Sequence, residues 1–329
     1  MYQSKKFVTL SEKMVGTTDG TAIDRNGDFI LSCPNFATDD LSGCVLRIKA
    51  DGSVSKWFDM PINPDTGIAR NMGIAFDKDW NLYVCDNQGW SGRKDLVDQG
   101  RLLKLSFNAD GSLASVVTVA KHMHHPNGVA IKNGVVFVTQ SEQNDQPNQN
   151  FKSALYRFKA DDHDIEITNT DADKNIFATF ITKNPEVKYG LDGIAVNSKN
   201  ELYVGNYGDA EIERIKFNTD GSYAGYEPFA QDLSQLNSTD GITFDDADNM
   251  YVADFDKNSI AKVTPDGKVE RIAQNGDNDG QKGEVNQPGE TRPWNGKLMI
   301  SNFNLVTGPT KVNTGHSIPQ VVSYLDLEA

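Results

Sequence analysis

The chain has 329 residues, with 32 Lys and Arg against 46 Asp and Glu, so its formal net charge at pH 7 is −14 and its isoelectric point is near 4.8. This acidity disfavours nucleic acids and anionic membrane surfaces as partners. No apolar stretch approaches the ~20 residues that a membrane-spanning helix needs, and the first residues, MYQSKKFVTLSEKM, lack the apolar region of a signal peptide. The chain as it stands is therefore predicted to be cytoplasmic, and periplasmic or secreted if a leader was removed.

A glycine-led segment recurs along the chain. Its copies are TTDGTAIDRNGDFILS from 17, ARNMGIAFDKDWNLYVCD from 69, HPNGVAIKNGVVFVTQ from 125, GLDGIAVNSKNELYVGN from 190 and STDGITFDDADNMYVADF from 238. In each copy a glycine precedes a short apolar run, a polar turn and a β-rich core, and these glycines are Gly20, Gly73, Gly128, Gly193 and Gly241. A weaker sixth copy, PGETRPWNGKLMISNFN, starts at 288.

Each unit also has a second half, in which two alternating runs flank an Asp-Gly pair such as Asp51-Gly52 or Asp266-Gly267. These pairs are typical hairpin turns. Four strands per unit, six units and almost no helical periodicity predict an all-β, six-bladed β-propeller of four-stranded antiparallel blades. Residues 141–153, 161–175 and 275–290 are predicted to be polar loops. No linker interrupts the repeats, so residues 1–329 are predicted to form a single domain.

The two ends of the chain are predicted to close the ring. KKFVTLSE lacks a glycine-led inner strand and resembles an outermost strand without a blade, while PQVVSYLDLE supplies another strand near the C-terminus. Pairing both in the last blade would hide its edges.

Acidic and amide side chains stand just before the marker glycines. They are Asp19, Asn71 (one residue further back, before Met72), Asn127, Asp192 and Asp240. At any single position such a residue could simply hydrogen-bond the backbone entering the strand. All five positions carry one, however, and the innermost strands of a propeller line the central channel. These side chains are therefore predicted to form a ring on the axis.

A ring with three carboxylates is costly unless one is protonated or a cation lies between them. Carboxylate and amide oxygens suit a hard ion, and a shell completed by water suits Ca²⁺ better than Mg²⁺. The sequence therefore predicts Ca²⁺, or another hard divalent cation such as Mg²⁺, in the channel.

The blade openings HPNGVAIKNGVVFV, GLDGIAVNSKNELYVGNYGDAEIERI and STDGITFDDADNMYVADF resemble those of the gluconolactonase and senescence-marker-protein family of six-bladed propellers. More distant relatives of that family are paraoxonase and diisopropyl fluorophosphatase. The resemblance implies a catalytic divalent ion in the channel and hydrolysis of lactones or organophosphate esters.

Two assignments of the ion's ligands follow from the resemblance. In the favoured one the metal ligands are Asp19, Asn127, Asp192 and Asp240, with Asp19 and Asp192 standing where the family has Glu and Asn. In the other, Asn71, Asn127 and Asp192 are ligands and Glu290 takes the place of the family's Glu. Asn127 and Asp192 belong to both.

The predicted chemistry is metal-dependent hydrolysis of a lactone or ester. The ion would stabilise the developing oxyanion, while Asp240 or Asp192 activates water or attacks directly. His125 is a candidate for proton transfer at the channel mouth. Asn71, Trp90, Glu290 and His316 are predicted to contact the substrate, and the loops 86–100, 141–153 and 275–294 are predicted to select it.

Two other functions use the same fold. One is a non-enzymatic binding propeller of the NHL type, and the other is a metal-dependent lyase or a strictosidine-synthase-like enzyme. A channel lined with Asp and Asn argues against the binding propeller, whereas no sequence feature separates a lyase from a hydrolase.

Overall fold

The structure is a computed structural model that describes residues 1–143, 150–308 and 311–327; residues 144–149 of the predicted loop 141–153 therefore lie outside it. Six β-sheets form the described part of the chain. It contains no α-helix, and its two short 3-10 turns, Gly89–Ser91 and Phe255–Lys257, are too short to cross a membrane. The innermost strands of neighbouring sheets contact one another in cyclic order, and the last contacts the first. The predicted six-bladed propeller is confirmed.

The first three blades follow one another along the chain, each running from the channel outward. Blade 1 is β2 (Thr21–Ile23), β3 (Phe29–Cys33), β4 (Cys44–Ile48) and β5 (Val54–Asp59). Blade 2 is β6 (Asn71–Phe76), β7 (Leu82–Asp86), β8 (Gly100–Phe107) and β9 (Leu113–Met123). Blade 3 is β10 (Pro126–Lys132), β11 (Val135–Gln140), β12 (Phe151–Lys159) and β14 (Ile176–Thr182).

Part of the predicted loop 161–175 is a strand. β13 (Ile165–Glu166) leaves blade 3 and pairs in parallel with the outer edge of β9, so blade 2 has five strands. Ile165 lies opposite Ala120 and Glu166 opposite Lys121. This pairing covers an edge that would otherwise be open to another chain.

Blades 4 and 5 repeat the four-stranded pattern, and blade 6 closes the ring. Blade 4 is β15 (Leu191–Val196), β16 (Leu202–Asn206), β17 (Glu211–Phe217) and β18 (Tyr223–Ala230). Blade 5 is β19 (Ile242–Phe244), β20 (Met250–Asp254), β21 (Ser259–Val263) and β22 (Val269–Gln274). Blade 6 is β23 (Pro288–Trp294), β24 (Lys297–Asn302), β25 (Val321–Asp326) and, outermost, β1 (Lys5–Thr9). The predicted closure by both ends is confirmed.

The turns between the two innermost strands have a repeated construction in four blades. Each is a five-residue loop that begins with Asp24, Asp77, Asn197 or Asp245, whose side-chain oxygen accepts the N–H groups two and four residues later. The fourth residue of each loop has a positive φ, and the four are Gly27, Trp80, Asn200 and Asp248. Gly, Asn and Asp tolerate this conformation, whereas it strains a bulky residue such as Trp80.

The core lies between adjacent blades. Between blades 1 and 2, for example, Ile30 and Val45 pack with Leu82, Val84 and Leu103, all fully buried. The core also contains Cys33, Cys44 and Cys85, which are buried and form no disulfide. They pack as small apolar residues.

Candidate functional site

The start of each inner strand packs against the next blade around the axis. A Cβ placed on Gly20 would lie 2.7 Å from the carbonyl oxygen of Met72, and one on Gly128 would lie 2.7 Å from that of Asp192. Glycine is therefore required at these points because the neighbouring backbone is too close for a side chain. The marker glycines, with Glu290 in the sixth blade, form one level of the channel wall, here called the glycine layer. The residues just before this layer occupy equivalent places, here called the ring positions: Asp19, Met72, Asn127, Asp192, Asp240 and Gly289.

Five ring positions, all but Gly289, line a cavity of about 280 Å³ on the propeller axis, here called the axial cavity. Asp19, Asp192 and Asp240 are the carboxylates at these positions, and Asn127 lies beside them. Each of these three carboxylates belongs to a different blade, so the fold, rather than a local motif, brings them together. We call the three the acidic ring.

Burial and mutual repulsion keep the acidic ring from ionising freely. Burial and the charge of Glu290 raise the pKa of Asp19 to about 7, although the Gly20 N–H opposes the rise. Burial and the charge of Asp19 raise the pKa of Asp192 well above its usual range. Burial and the charge of Asp192 do the same for Asp240. No Lys or Arg in the described residues forms an ion pair with any of the three. Lys188 and Lys311 line the same cavity, but neither forms an ion pair with the ring, so no basic side chain in the described part of the chain directly compensates its charge.

A hydrogen-bonded chain holds Asn127 in one orientation. Its Nδ2 donates to Asp192 Oδ2 at 2.9 Å and to the Tyr189 hydroxyl at 3.0 Å. That hydroxyl lies 2.8 Å from His125 Nε2. Burial lowers the pKa of His125 to about 4, so at neutral pH its uncharged ring can accept the proton of Tyr189. With both amide hydrogens directed at these partners, Asn127 Oδ1 remains as the acceptor for a group in the cavity.

Aromatic side chains surround the mouth of the axial cavity. They form a continuous series of neighbours, with centroid distances of 5.0 Å for Tyr189–Tyr207, 6.4 Å for Tyr207–Phe255, 5.8 Å for Phe255–Phe303 and 4.9 Å for Phe303–Trp90. We call these five residues the aromatic rim. The cavity therefore has carboxylates at its bottom and aromatic side chains at its mouth, and small-molecule sites commonly combine polar and apolar groups in this way.

Glu290 occupies the glycine layer of blade 6, just below the acidic ring. Its carboxylate accepts a hydrogen bond of 2.6 Å from the Thr21 hydroxyl and lies 3.4 Å from the Arg292 guanidinium. Burial raises the pKa of Glu290, and Arg292 and Thr21 oppose that rise. Glu290 thus has a positive partner, unlike the three carboxylates above it.

The remaining predicted site residues lie in different surroundings. Trp90 is part of the aromatic rim. Asn71 points between blades 1 and 2, where its Nδ2 donates to Ser32 Oγ at 2.6 Å and to the Cys44 carbonyl at 3.0 Å. His125 lies behind Tyr189 rather than on the cavity wall. His316 is exposed, with its Nδ1 against the Asn304 carbonyl, and does not line the axial cavity.

Sequence reasoning missed two parts of the site. Met72 rather than Asn71 takes the ring position of blade 2 and lines the cavity. Its place directly before Gly73 was a usable signal, since Asp19, Asn127, Asp192 and Asp240 also stand directly before their glycines. The aromatic rim had a partial signal of the same kind, because Tyr207, Phe255 and Phe303 each stand directly after the second strand of their blades.

The donor set of the axial cavity suits a hard cation: three buried carboxylates without a basic partner and one amide oxygen, all on one wall. In residues 1–143, 150–308 and 311–327, however, no three His, Cys, Asp or Glu side chains converge as ligands of one ion. The residue types fit a divalent cation, and their oxygens line the cavity without meeting at a single point.

Comparison with known families decides the lineage of the chain. Residues 65–277, which include Asn127, Asp192 and Asp240, match the model of the SMP-30/gluconolactonase/LRE-like region. The chain belongs to this family. Asp19 and Glu290 lie outside the matched segment. No curated protein sequence matches the chain.

Solved structures of several activities have the same fold. A gluconolactonase from Xanthomonas campestris is 14% identical, with a TM-score of 0.60 over 99% of this chain and 89% of its own. A calcium-binding regucalcin from Agrobacterium tumefaciens is 11% identical, with a TM-score of 0.61 over 98% and 93%. A streptogramin B lyase is 13% identical, with a TM-score of 0.56 over 98% and 97%. At these identities the likeness shows the fold alone.

Proposed function

We propose that this protein hydrolyses lactones or related esters with the help of Ca²⁺, or another hard divalent cation such as Mg²⁺, held at the acidic ring. The observation that carries the proposal is the burial of Asp19, Asp192 and Asp240 around one cavity without a basic partner. Membership of a family whose name includes gluconolactonase, and the likeness to a calcium-binding regucalcin, support it.

The cation would be held by the three carboxylates and by Asn127 Oδ1. Its binding would draw side chains that now only line the cavity towards a common point, at a cost offset by relief of their repulsion. When bound, it would supply positive charge that polarises a carbonyl oxygen. His125 and Tyr189 would act as positioning residues, because they fix which face of the Asn127 amide points inward.

Proton transfer falls to the acidic ring itself. Asp240 and Asp192 have raised pKa values, and a hydrogen bond between them stabilises the charged form of Asp192. A carboxylate of raised pKa is a stronger base when it is ionised. We therefore assign to one of this pair the removal of a proton from the attacking water, and to Asp19 a share in holding the cation.

The aromatic rim favours a substrate with an apolar body. A polyhydroxylated lactone would leave many hydroxyl groups against Trp90, Phe255 and Phe303, which offer few partners. Aliphatic or aryl lactones and esters would bury apolar surface there instead. Glu290 lies below the glycine layer, so it would act on the ring through Asp19 rather than by contact with the substrate.

The test combines metal content with turnover. The purified protein is expected to hold about one Ca²⁺ per chain, and chelation followed by add-back of Ca²⁺ or Mg²⁺ should abolish and restore hydrolysis of an aryl lactone. Asp192→Asn should lose the ion and at least 100-fold in kcat/KM, whereas the matched variant Asp246→Asn, on an exposed turn, should keep both.

The mass of the product separates a hydrolase from a lyase, because hydrolysis adds one water and elimination adds none. Metal-independent hydrolysis, or full activity of Asp192→Asn, would contradict the proposal.

A further inference from the structure

A second cavity lies between blades 3 and 4, away from the axial cavity, and no step of the proposed hydrolysis uses it. Its volume is about 520 Å³, within the range of small-molecule sites. β11 and β12 of blade 3, β17 of blade 4 and the segment around β13 form its walls. We call it the inter-blade cavity.

Part of the wall of the inter-blade cavity is apolar. Val135, Phe137, Ile165, Ile176 and Phe217 line it, and four of them, all but Phe137, are only half-buried. Phe137 and Phe217 are in edge contact at a centroid distance of 5.8 Å. Half-buried apolar side chains that face one concave space gain from a ligand that removes them from water.

The net charge of the residues that line this cavity is positive, whereas that of the whole chain is negative. Its lining contains four basic side chains, Lys132, Arg157, Lys159 and Lys174, against two acidic ones, Asp162 and Asp220, although the whole chain has a net charge of −14. None of the four forms an ion pair with a carboxylate of the described residues. An acidic protein that gathers unpaired cations at one cavity offers an electrostatic site for an anion.

Two of these cations lie over aromatic rings. The Lys132 ammonium lies 5.0 Å from the centroid of Phe217, and the Arg157 guanidinium lies 5.1 Å from that of Phe177. Phe177 and Phe217 stack on each other at 5.3 Å. The Lys132 ammonium also donates to the Asn200 carbonyl. These contacts fix cations above rings without neutralising them.

We propose that the inter-blade cavity binds a small organic anion with a planar apolar body, such as an aromatic carboxylate, sulfonate or phosphate. The apolar walls would hold the body, and Lys159 and Lys174 would face the anionic group. The cavity's concave shape and volume favour a small molecule over an acidic peptide. This site is independent of the proposed hydrolysis.

The probe is 8-anilinonaphthalene-1-sulfonate, an aromatic anion whose fluorescence rises in apolar surroundings, titrated into the folded full chain. It should saturate at one molecule per chain. The double variant Lys159→Gln/Lys174→Gln should raise its Kd about tenfold. Both lysines are exposed, so the variant should remain folded. The matched variant Lys13→Gln, which removes an exposed charge elsewhere, should leave Kd within about twofold.

A neutral probe separates the electrostatic from the hydrophobic contribution to binding. N-Phenyl-1-naphthylamine has a similar aromatic body without the sulfonate, and its Kd should be higher and the same in all three proteins. An unchanged Kd for the anionic probe in the double variant, or binding of several molecules per chain, would overturn the proposal. Displacement of the probe by a poly-glutamate peptide but not by benzoate would also overturn it, in favour of a peptide site.

Discussion

Glu290 of blade 6 raises the pKa of Asp19 of blade 1, although the two residues are separated by almost the whole chain. Glu290 stands where the other five blades have glycine. A Cβ placed on Gly289, the residue before it, would lie 2.9 Å from Asp19 Oδ1, so the two blades are in close contact there. The closure of the ring thus places a fourth carboxylate beneath the acidic ring. Its charge must influence every protonation step above it.

The metal-free protein should lose stability as pH rises. Asp19 has a folded pKa of about 7, above its ordinary value of 3.8, so the folded state binds more protons than the unfolded state between these values and stability falls across that window. The contribution of Asp19 to the free energy of unfolding should decrease by roughly 2–3 kcal/mol from pH 5 to pH 7. It is measured with urea in chelator as the difference between the natural chain and Asp19→Asn, because the lowered pKa of His125 changes the total slope in the opposite direction.

Two variants test the cause of this slope. Asp19→Asn should flatten it, and Glu290→Gln should shift it to lower pH because it removes the second-largest cause of the raised pKa. If neither variant changes the slope, Asp19 is not its source.

Tyr189→Phe should loosen the cavity wall. The substitution removes the hydroxyl shared by His125 and Asn127 and leaves a buried ring nitrogen without its partner, at a cost of about 1–3 kcal/mol. Urea denaturation at pH 7 measures the loss. Tyr226→Phe is the control, because Tyr226 is 42% exposed and its hydroxyl has no hydrogen-bond partner in the described residues; it should change the free energy by less than about 0.5 kcal/mol. Equal effects of the two substitutions would contradict the network.

Gly128→Ala should destabilise the contact between blades 3 and 4. The new Cβ would lie 2.7 Å from the Asp192 carbonyl oxygen and 2.8 Å from Ile194 Cγ2, and such overpacking costs about 1–3 kcal/mol or more. Gly276→Ala is the matched control, since a Cβ there meets nothing within 4 Å. Thermal unfolding should give a lower Tm for the first variant only. An unchanged Tm for Gly128→Ala would mean that the blades can separate at the axis.

Trp80→Asn should stabilise the protein. Trp80 adopts φ +63° in a turn where the equivalent residues of three other blades are Gly27, Asn200 and Asp248, and a bulky residue there costs about 1–2 kcal/mol. Trp80 is 42% exposed, so more than half of its side chain is buried, and the lost contact with Phe76 offsets part of the gain. We expect a net gain below about 1 kcal/mol in the free energy of unfolding. A loss of stability would show that the packing of Trp80 on Phe76 outweighs the strain.

The repeat pattern was sufficient to predict the blades and their closure, because each turn and strand is encoded locally. The pattern predicted less accurately which side chains line the axial cavity. Successive side chains of a strand point to opposite faces, so Asn71, one residue before the ring position, points between blades while Met72 lines the cavity. Residue type suggested Asn71, whereas register required Met72. The two-residue strand β13 has no periodic signal, because it depends on a contact between distant segments. The aromatic rim has a partial one, since Tyr207, Phe255 and Phe303 each directly follow the second strand of blades 4, 5 and 6.

The pairing of β1 with β25 also has a consequence for the order of folding. β1 is the first strand to leave the ribosome and β25 the last, so the first strand must wait, unpaired, through the synthesis of all the others. Lys5 and Lys6 on β1 would help keep it from pairing wrongly during that interval. The entropic cost of joining segments so far apart grows only slowly with their separation, so a late final step need not be an expensive one. The propeller therefore becomes a closed ring only after β25 has been synthesised and has paired with β1.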